Sequence, residues 1–342
     1  MTRFLKASAA ALTVSYATVV LTWFVLHDLY GDTIWWLFLV NTLAFYLFVP
    51  LPAVVVMALL SRSRAAWGTV LAPLALGLFL FGPIFMPKAH VASASHGPTL
   101  RVMTFNMLGY NRHPDGVAVA LARSGADVIG IQELNRAAAQ AIRRRLREVF
   151  PYQALDPGDD ATGMGILSRY PMRSTGERLP GWWQGSPQMM RLVVDGRDVL
   201  MLNIHPVSTL LSQAQIERET AERAQDARAV VAFVRRHDDT PLIVTTDFNV
   251  TDQNTPYAIV RAALGDAWRE AGWGLGGTFP GADSYMSSRP RVYGVLAPLW
   301  LVRIDYVFHS RRWRAVEAHI GPWDGVSDHR PVVATLRLQG QG

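Results

Sequence analysis

The residues of this chain that could do chemistry stand where apolar, strand-type segments end. Eight side chains are of this kind: Asn106, Glu133, His205, Asp247, Asn249, Asp305, Asp328 and His329. If these segment ends meet, they form a cleft with four carboxylates, two amides and two imidazoles. Oxygen ligands of this type suit Mg²⁺ or Mn²⁺, and such a cleft suits a phosphate group. The 342 residues include no cysteine, which excludes a thiolate metal site, a cysteine nucleophile and a disulfide framework.

Short strands must position these side chains. Strand-type segments run from Leu100 to Asn106, from Asp127 to Glu133 and from Pro241 to Asn249, and each stops at a polar residue. A hairpin with its turn at Asp195-Gly196 is predicted to end its second arm at His205. The repeated placement of polar residues at strand ends favours a shared site over isolated turns.

Two further strands are predicted before the closing apolar run. Arg303 to His309 reads as a strand that contains Asp305, and Trp313 to Ile320 is predicted to pair with that strand or with its neighbour. The pair Asp328-His329 directly precedes the last apolar run. Taken alone, an Asp-His dipeptide is more typical of a turn, so its assignment to a site depends on the other strand ends.

The N-terminal third is predicted to lie in a membrane. Three uncharged apolar stretches follow one another, from Ala7 to Leu26, from Ile34 to Leu60 and from Trp67 to Met86. About 20 apolar residues are enough for a helix to cross a bilayer. The second stretch contains Asn41 and two prolines, Pro50 and Pro52, which predict a kink or an early exit. A cleaved signal peptide followed by core helices is the alternative, but no small-residue cleavage site follows the first stretch.

Loop charges predict the orientation of these helices. Arg3 and Lys6 precede the first stretch, Arg62 and Arg64 lie before the third, and the loop after the first stretch has acids only. The positive-inside rule then puts the N-terminus in the cytoplasm and everything after the third helix outside the inner or plasma membrane. We therefore predict a multi-pass membrane domain over residues 1–86, a linker over residues 87–98 and an extracytoplasmic catalytic domain over residues 99–342.

Charge gives little information about the partner. The chain is 50% hydrophobic and has a net charge of +6. Half of that excess belongs to the first ninety residues, so the remaining chain carries only +3. An excess of this size does not by itself indicate a nucleic-acid-binding protein.

Six short motifs in this order resemble the endonuclease/exonuclease/phosphatase superfamily, which includes deoxyribonuclease I, exonuclease III-type nucleases and neutral sphingomyelinases. They are Thr-Phe-Asn106, Ile-Gln-Glu133, Asn203-Ile-His205, Thr-Asp247-Phe-Asn249, Arg-Ile-Asp305-Tyr and Val-Ser-Asp328-His329. The match runs from about Thr99 to Leu338. The resemblance implies a four-layer α/β sandwich of two packed mixed β-sheets flanked by helices, here preceded by three transmembrane helices as in a membrane-anchored bacterial-type member.

The resemblance also implies roles for the eight residues in metal-dependent hydrolysis of phosphate esters by direct water attack. Glu133 would be the main Mg²⁺ ligand, with Asn106 and Asp328 near the metal. Asp247 would orient the attacking water, and Asn249 would hold a phosphate oxygen. The remaining roles fall to His329, which would contact the phosphate, to Asp305, which would orient that imidazole, and to His205, which would help protonate the leaving group.

One departure and several alternatives stay open at this point. The family usually has glycine where this chain has Thr246, and a side chain there would narrow the floor of the cleft. The substrate could be nucleic acid or a phospholipid headgroup, so a nuclease-like phosphodiesterase and a phospholipase C-like or sphingomyelinase-like enzyme, or a phosphomonoesterase, are all compatible with the motifs. A non-catalytic phosphate-binding module and a functional role for the membrane helices are the other hypotheses, and no protein partner is indicated.

A loop with two tryptophans is a candidate for substrate selection. Trp182 and Trp183 lie between Gly181 and Pro187. They could stack on bases or enter a lipid headgroup layer, because an indole combines a large apolar face with one polar N–H. The alternative is that the loop simply packs on the domain.

Overall fold

The chain forms two units. The computed structural model describes residues 3–88, 97–208, 213–281, 289–292 and 294–339. The first unit comprises Met1–Met86 with Gln253–Thr255, and the second comprises Pro87–Asp252 and Pro256–Gly342. Of the predicted linker, residues 89–96 lie outside the described residues.

The N-terminal unit is helical. Its helices are α1 (Arg3–Tyr30), α2 (Trp35–Thr42), a 3₁₀ helix (Ala44–Phe48), α3 (Leu51–Ser61) and α4 (Arg64–Phe85). Three helical segments are long and apolar enough to cross a membrane: Lys6–Tyr30, Ala44–Ser61 and Arg64–Phe85. The three long apolar helices predicted from the sequence are therefore confirmed.

The second apolar stretch is interrupted. Instead of one helix from Ile34 to Leu60, the chain forms α2, the 3₁₀ helix and α3, and the segment long enough to span is Ala44–Ser61. Pro50 directly precedes α3, and Pro52 lies in its first turn. Proline is tolerated there because the first N–H groups of a helix have no intrahelical acceptor, whereas a proline farther inside would remove a hydrogen bond.

The C-terminal unit contains fourteen strands and five helices among the described residues. The strands are β1 (Thr99–Asn106), β2 (Val128–Gln132), β3 (Tyr152–Asp156), β4 (Met164–Ser168), β5 (Met172–Ser174), β6 (Trp183–Val194), β7 (Arg197–Pro206), β8 (Leu242–Asp247), β9 (Gly265–Asp266), β10 (Arg291–Val292), β11 (Val295–Leu296), β12 (Asp305–His309), β13 (Trp313–Ile320) and β14 (Val332–Leu338). The helices are α5 (Pro114–Arg123), α6 (Arg136–Arg145), α7 (Gln213–Arg236), α8 (Thr255–Arg261) and α9 (Ala267–Ala271).

Most of these strands form two six-stranded sheets. The first sheet has the order β13-β14-β1-β2-β4-β3, and the second has the order β5-β6-β7-β8-β12-β9. Both are mixed, because β1 pairs with β2 and β7 pairs with β8 in parallel while the neighbouring pairs are antiparallel. Two mixed sheets flanked by helices form the predicted α/β sandwich.

Alternation along β1 shows how the sandwich is filled. Leu100 and Val102 belong to the apolar cluster formed by both sheets. Met103 and Phe105 belong to the cluster formed with α5 and α6. Because successive side chains of a strand point to opposite faces, Asn106 at the end of β1 faces the same side as Leu100 and Val102. The strand thus delivers a polar side chain to the space between the sheets.

The strand β13 pairs with neither of the two partners predicted for it. It was predicted to pair with the Asp305 strand or with that strand's neighbour, and it pairs with β14, at the edge of the first sheet. The Asp305 strand, β12, lies in the second sheet between β8 and β9. Residues 310–312 therefore carry the chain from one sheet to the other instead of closing a hairpin.

Candidate active site

The site forms where the space between the sheets changes from apolar to polar. Along the inner faces of β1, β7 and β8, each strand ends with a polar residue followed by a site residue: Thr104 and Asn106, Asn203 and His205, Thr245 and Asp247. All six are buried. The three strands end together because β7 and β8 are parallel neighbours and β1 lies in the facing sheet.

A layer of amides and hydroxyls separates the apolar core from the site. Gln132 Nε2 donates to Asn203 Oδ1 at 2.7 Å, and Thr245 Oγ1 donates to the same oxygen at 3.0 Å. Gly130 makes this close approach of the sheets possible. A Cβ atom at Gly130 would lie 2.0 Å from Thr245 Oγ1 and 2.7 Å from Asn203 Oδ1. The sequence motifs included Asn203, but the layer as a whole was missed, although period-two alternation on the inner faces would have indicated it.

Asn106 joins the carboxylates of the two sheets. Its Nδ2 donates to Glu133 Oε1 at 3.0 Å and to Asp247 Oδ2 at 2.8 Å. Its Oδ1 accepts the N–H of Leu108 at 3.0 Å, and Glu133 Oε2 accepts the N–H of Gly109 at 2.8 Å. In this arrangement Asn106 is a donor to two carboxylates, and its role as a metal ligand through Oδ1 stays a prediction.

Left-handed backbone ends two of the strands that carry site residues. Glu133, directly after β2, has φ 56°, and Asn249, two residues after β8, has φ 54°. This conformation is uncommon for residues with a side chain, and such outliers concentrate at functional sites. Asn249 is held by its N–H to Asp247 Oδ1 at 3.1 Å and by its Nδ2 to the carbonyl of Pro206 at 3.1 Å.

His205 is buried without a hydrogen bond to either ring nitrogen from the described residues. Its Nε2 lies 3.5 Å from Asp247 Oδ2 and 4.0 Å from Glu133 Oε1. Burial lowers the pKa of His205, but the carboxylates of Asp247 and Glu133 outweigh it, and the net pKa is raised. A buried imidazole beside two carboxylates and without a hydrogen bond is suited to a further partner in the cleft.

His329 is oriented from the opposite sheet. Its Nδ1 lies 2.9 Å from Asp305 Oδ2, and its Nε2 lies 3.7 Å from Asp247 Oδ2. Burial lowers the pKa of His329, but the charges of Asp305 and Asp247 outweigh it and hold the pKa well above its ordinary value. The pairing of Asp305 with His329 that the resemblance implied is thus present in the geometry.

Asp247 is the carboxylate on which these contacts converge. Burial alone would raise its pKa, but His329, His205 and the Asn106 amide outweigh that effect, so the pKa falls to about 2. Asp247 is therefore ionised at neutral pH and can accept a hydrogen bond from a water molecule or a substrate proton.

Two groups of side chains could hold a cation. Among the described residues, the ligand atoms of Glu133, His205 and Asp247 lie within 4.8 Å of one another, and so do those of Asp247, Asp305 and His329. The carboxylate oxygens in the first group fit a hard divalent cation such as Mg²⁺ or Mn²⁺. Asp328 is half-buried and belongs to neither group, although its charge contributes to the raised pKa of His329. Its role as a ligand stays a prediction.

Three residues make supporting contacts around His329 and Asp305. Ser327 Oγ donates to the carbonyl of Asn106 at 2.7 Å and accepts the N–H of His329 at 3.0 Å. Thr278 Oγ1 accepts the N–H of Asp305 at 3.4 Å, and the ring of Phe279 lies 5.0 Å from the ring of His329. Ser327 lies two residues before His329, whereas Thr278 and Phe279 reach the site from a distant part of the chain.

Thr246, which stands where the family usually has glycine, lies next to Asp247 in β8. Thr246 is fully buried, and its Oγ1 has no hydrogen-bond partner within the described parts of the chain. It follows Thr245 and precedes Asp247 in β8, so its side chain points to the face of the sheet opposite to Asp247. Because its side chain lies on the opposite face of the sheet, this placement does not support the prediction that Thr246 narrows the floor of the cleft.

Comparisons with known proteins agree with this geometry. The model of the endonuclease/exonuclease/phosphatase family matches residues 103–329, and no curated protein sequence matches the chain. The matched range contains all eight candidate residues. Members of this family are hydrolases that act on phosphodiester bonds, and they generally depend on a divalent metal.

Solved structures share the fold at low identity. An endonuclease/exonuclease/phosphatase family protein from Bacteroides thetaiotaomicron is 17% identical, with a TM-score of 0.51 over 72% of this chain and 100% of its own. Truncated Caenorhabditis elegans TDP2 is 16% identical, with a TM-score of 0.55 over 70% and 98%. D. rerio TDP2 complexed with a single-strand DNA product is 17% identical, with a TM-score of 0.54 over 70% and 99%. Since the family model matches more than half of the residues, this chain belongs to the endonuclease/exonuclease/phosphatase family.

Proposed function

We propose that the C-terminal unit is a metal-dependent phosphodiesterase that cleaves its substrate by direct water attack. The observation that carries this proposal is the convergence on Asp247 Oδ2, where Asn106 Nδ2 lies at 2.8 Å, His205 Nε2 at 3.5 Å and His329 Nε2 at 3.7 Å. An anionic carboxylate surrounded by donors and imidazoles from both sheets suits the handling of water and phosphate oxygens together.

In this proposal Glu133 is the main ligand of a Mg²⁺ or Mn²⁺ ion, with Asn106 and Asp328 beside it. Glu133 is suited to this role because its side chain remains 16% exposed at the mouth of an otherwise buried cluster. When bound, a divalent cation neutralises charge on the phosphoryl oxygens and on the leaving oxygen. The orphaned ring nitrogens of His205 support the presence of a further group in the same cleft.

The remaining residues act on water and protons. Asp247 orients the attacking water, for which its low pKa keeps it ionised. His329, held through Nδ1 by Asp305, directs Nε2 toward the phosphate, and Asn249 donates to a phosphate oxygen without adding charge. His205 protonates the leaving oxygen, which its raised pKa favours because a larger fraction of the imidazole then carries a proton.

We further propose that the enzyme is anchored in the cell membrane by its three apolar helices, with the catalytic unit outside. The positive-inside rule places the basic residues at the helix ends in the cytoplasm, namely Arg3, Lys6, Arg62 and Arg64. Fusion of alkaline phosphatase, which is active only outside the cytoplasm, to the C-terminus tests the orientation. An active fusion is expected, and activity only for a cytoplasmic reporter at the same position would reverse the topology.

Within this class we favour a nuclease-like activity. The D. rerio TDP2 structure, which shares the fold, holds a single-strand DNA product. The decisive experiment is a substrate panel for the full-length protein in detergent: bis-p-nitrophenyl phosphate, single-stranded and duplex DNA, phospholipids including sphingomyelin, and a phosphomonoester. We expect cleavage of the DNA and of the synthetic diester with Mg²⁺, inhibition by a chelator and loss in Glu133→Ala. Hydrolysis of phospholipid alone would instead identify a phospholipase C-like enzyme.

A further inference from the structure

A tryptophan stands at the edge of the cleft, next to His205. The strand β6 begins at Trp183 and pairs with the end of β7, with Trp183 opposite Pro206 and Gly185 opposite His205. Register shifts on both sides of Gly185 mark bulges, which commonly redirect side chains beside active sites. Trp183 is half-buried, whereas the preceding Trp182 is 70% exposed. The two tryptophans of the predicted substrate loop thus divide into one that packs and one that faces solvent.

The position of Trp182 is fixed by a buried carboxylate on α7. Asp226 Oδ1 accepts the N–H of Trp182 at 3.0 Å. The preceding residue, Gly181, has φ 136°, and a Cβ atom there would lie 2.1 Å from Asp226 Oδ1. Only glycine combines this backbone conformation with such a close approach. A residue in the middle of α7 therefore holds the backbone N–H of the residue that carries the exposed indole.

Burial of the Asp226 carboxyl group costs free energy of solvation. The hydrogen bond from the Trp182 N–H offsets part of that cost. Asp226 is fully buried, and its Oδ2 has no hydrogen-bond partner among the described residues. Burial raises the pKa of Asp226 to about 7 with a contribution from the nearby Glu222, against smaller opposing effects of the hydrogen bond from the Trp182 N–H and of Arg223. A buried polar atom without a partner usually destabilises a fold, so its presence here favours a positioning role.

We propose that Trp182 binds the substrate by stacking on an unpaired nucleobase next to the scissile phosphate, and that Asp226 is the positioning residue that presents it. This inference rests on the proposed phosphodiesterase function and names the kind of substrate that the cleft selects. An indole face accepts any base, since every base has a π surface, so the contact would favour single strands without reading sequence.

A nucleobase is favoured over a lipid surface by the surroundings of Trp182 in the sequence. Between residues 153 and 192, all of which are described, Trp182 is the only large hydrophobic side chain that is exposed. Insertion into a bilayer interface normally uses several apolar side chains presented together. A single exposed indole, whose backbone N–H is held by Asp226, instead matches a stacking platform.

The test uses full-length protein in detergent and two substrates, a single-stranded oligodeoxynucleotide and its abasic tetrahydrofuran counterpart. Because Trp182→Ala removes the surface on which an unpaired base would stack, it is expected to raise KM for the normal strand about tenfold with little change in kcat. For the abasic strand, wild type and Trp182→Ala are expected to have the same KM. Trp182→Phe should restore most of the loss, because it retains an aromatic face.

Asp226 and a second tryptophan supply the controls. Asp226→Ala, which removes the acceptor for the Trp182 N–H, is expected to raise KM as Trp182→Ala does, and Asp226→Asn, which keeps an acceptor oxygen, should restore it. Trp273→Ala removes an indole that is 68% exposed outside the proposed platform and should leave KM unchanged. Thermal unfolding of each variant reports that the fold is retained.

The outcomes separate this inference from the proposed function. If wild type hydrolyses bis-p-nitrophenyl phosphate but Trp182→Ala leaves KM for the normal strand unchanged, or raises it equally for the abasic strand, the inference is wrong and the phosphodiesterase stands. The inference would also be wrong if Trp182→Ala lost binding to phospholipid vesicles while its KM for the oligonucleotide stayed unchanged. If wild type cleaves no diester, the proposed function fails, and the inference fails with it.

Discussion

His329 Nδ1 lies 2.9 Å from Asp305 Oδ2, although the two residues are 24 positions apart and belong to opposite halves of the sandwich. Asp305 begins β12 of the second sheet, and His329 precedes β14 of the first. A carboxylate at Nδ1 fixes the tautomer in which that nitrogen carries the proton, and it directs Nε2 toward the cleft. The closure of the two sheets therefore determines the state of this imidazole.

The first prediction concerns this pair. Asp305→Asn is expected to lower kcat by about 10²–10⁴-fold, because a neutral amide neither supports a charged imidazole nor selects the same tautomer. Steady-state hydrolysis of bis-p-nitrophenyl phosphate measures the effect. Asp198→Asn, at an exposed carboxylate paired with Arg191, is the matched control and should behave as wild type. Equal rates in the two variants would remove Asp305 from the mechanism.

The second prediction concerns the metal. Glu133→Gln keeps the shape of the side chain but removes a charged oxygen ligand, so we expect Mg²⁺ or Mn²⁺ to bind at least about tenfold more weakly. Isothermal titration calorimetry of metal-free protein measures the affinity independently of catalysis, and Glu148→Gln at an exposed position on the surface is the control. Unchanged metal affinity in Glu133→Gln would show that the principal ligand lies elsewhere.

The third prediction concerns the contact between the sheets at Gly130. Gly130→Ala places a methyl group about 2 Å from Thr245 Oγ1, so the sheets must separate locally. We expect a loss of about 1–3 kcal/mol in the free energy of unfolding, as for other overpacked cores. Adding Thr245→Ala removes the nearest atom and should recover part of the loss. A Gly130→Ala protein as stable as wild type would mean that this layer is loosely packed.

The fourth prediction is a pH dependence of stability that arises from Asp226. Its pKa is about 7 in the folded protein and 3.8 in the absence of perturbation. Between these values the unfolded chain releases a proton that the folded protein retains, so the free energy of unfolding falls as the pH rises from about 4 to about 7. The loss is on the order of a few kcal/mol and is fully present above the folded pKa.

Asp226→Asn removes this titration. Its unfolding temperature is expected to match that of wild type at low pH and to exceed it increasingly toward pH 8, as followed by thermal melts across that range. Asp239→Asn, at a fully exposed carboxylate, should instead track wild type at every pH. Parallel curves for Asp226→Asn and wild type would contradict a raised pKa at this position.

Much of the candidate site could be predicted from local sequence. Asn106, Glu133 and Asp247 were identified because each ends or follows an apolar strand, and the structure brings them to one cleft. The hairpin at Asp195-Gly196 joins β6 and β7 as predicted, because that dipeptide favours the positive φ of a tight turn, here 49° and 75°. Features of this kind depend on neighbours within a few residues, which is why periodicity and turn chemistry reveal them.

Other features depended on contacts between distant segments. The pairing of β13 with β14 cannot be inferred from residue spacing, because possible partners compete at the level of whole sheets. Spacing likewise does not indicate that Trp182 is exposed whereas Trp183 is half-buried. The Asn106 amide donates to the carboxylates of Glu133 and Asp247, and its Oδ1 accepts the N–H of Leu108, and neither contact can be inferred from the position of Asn106 at a strand end.

The sequence by itself determined the kinds of groups in this protein: apolar helices at the N-terminus, strands with polar ends, and the oxygen and nitrogen donors of a phosphate site. The tertiary structure alone decided which of those groups meet. Asp305 reaches His329, Asn106 reaches Asp247, and Asp226 reaches Trp182 because two sheets and a helix pack at close range. Side-chain chemistry is a local property of the chain, whereas distances and pKa values arise from packing between segments that are far apart in sequence.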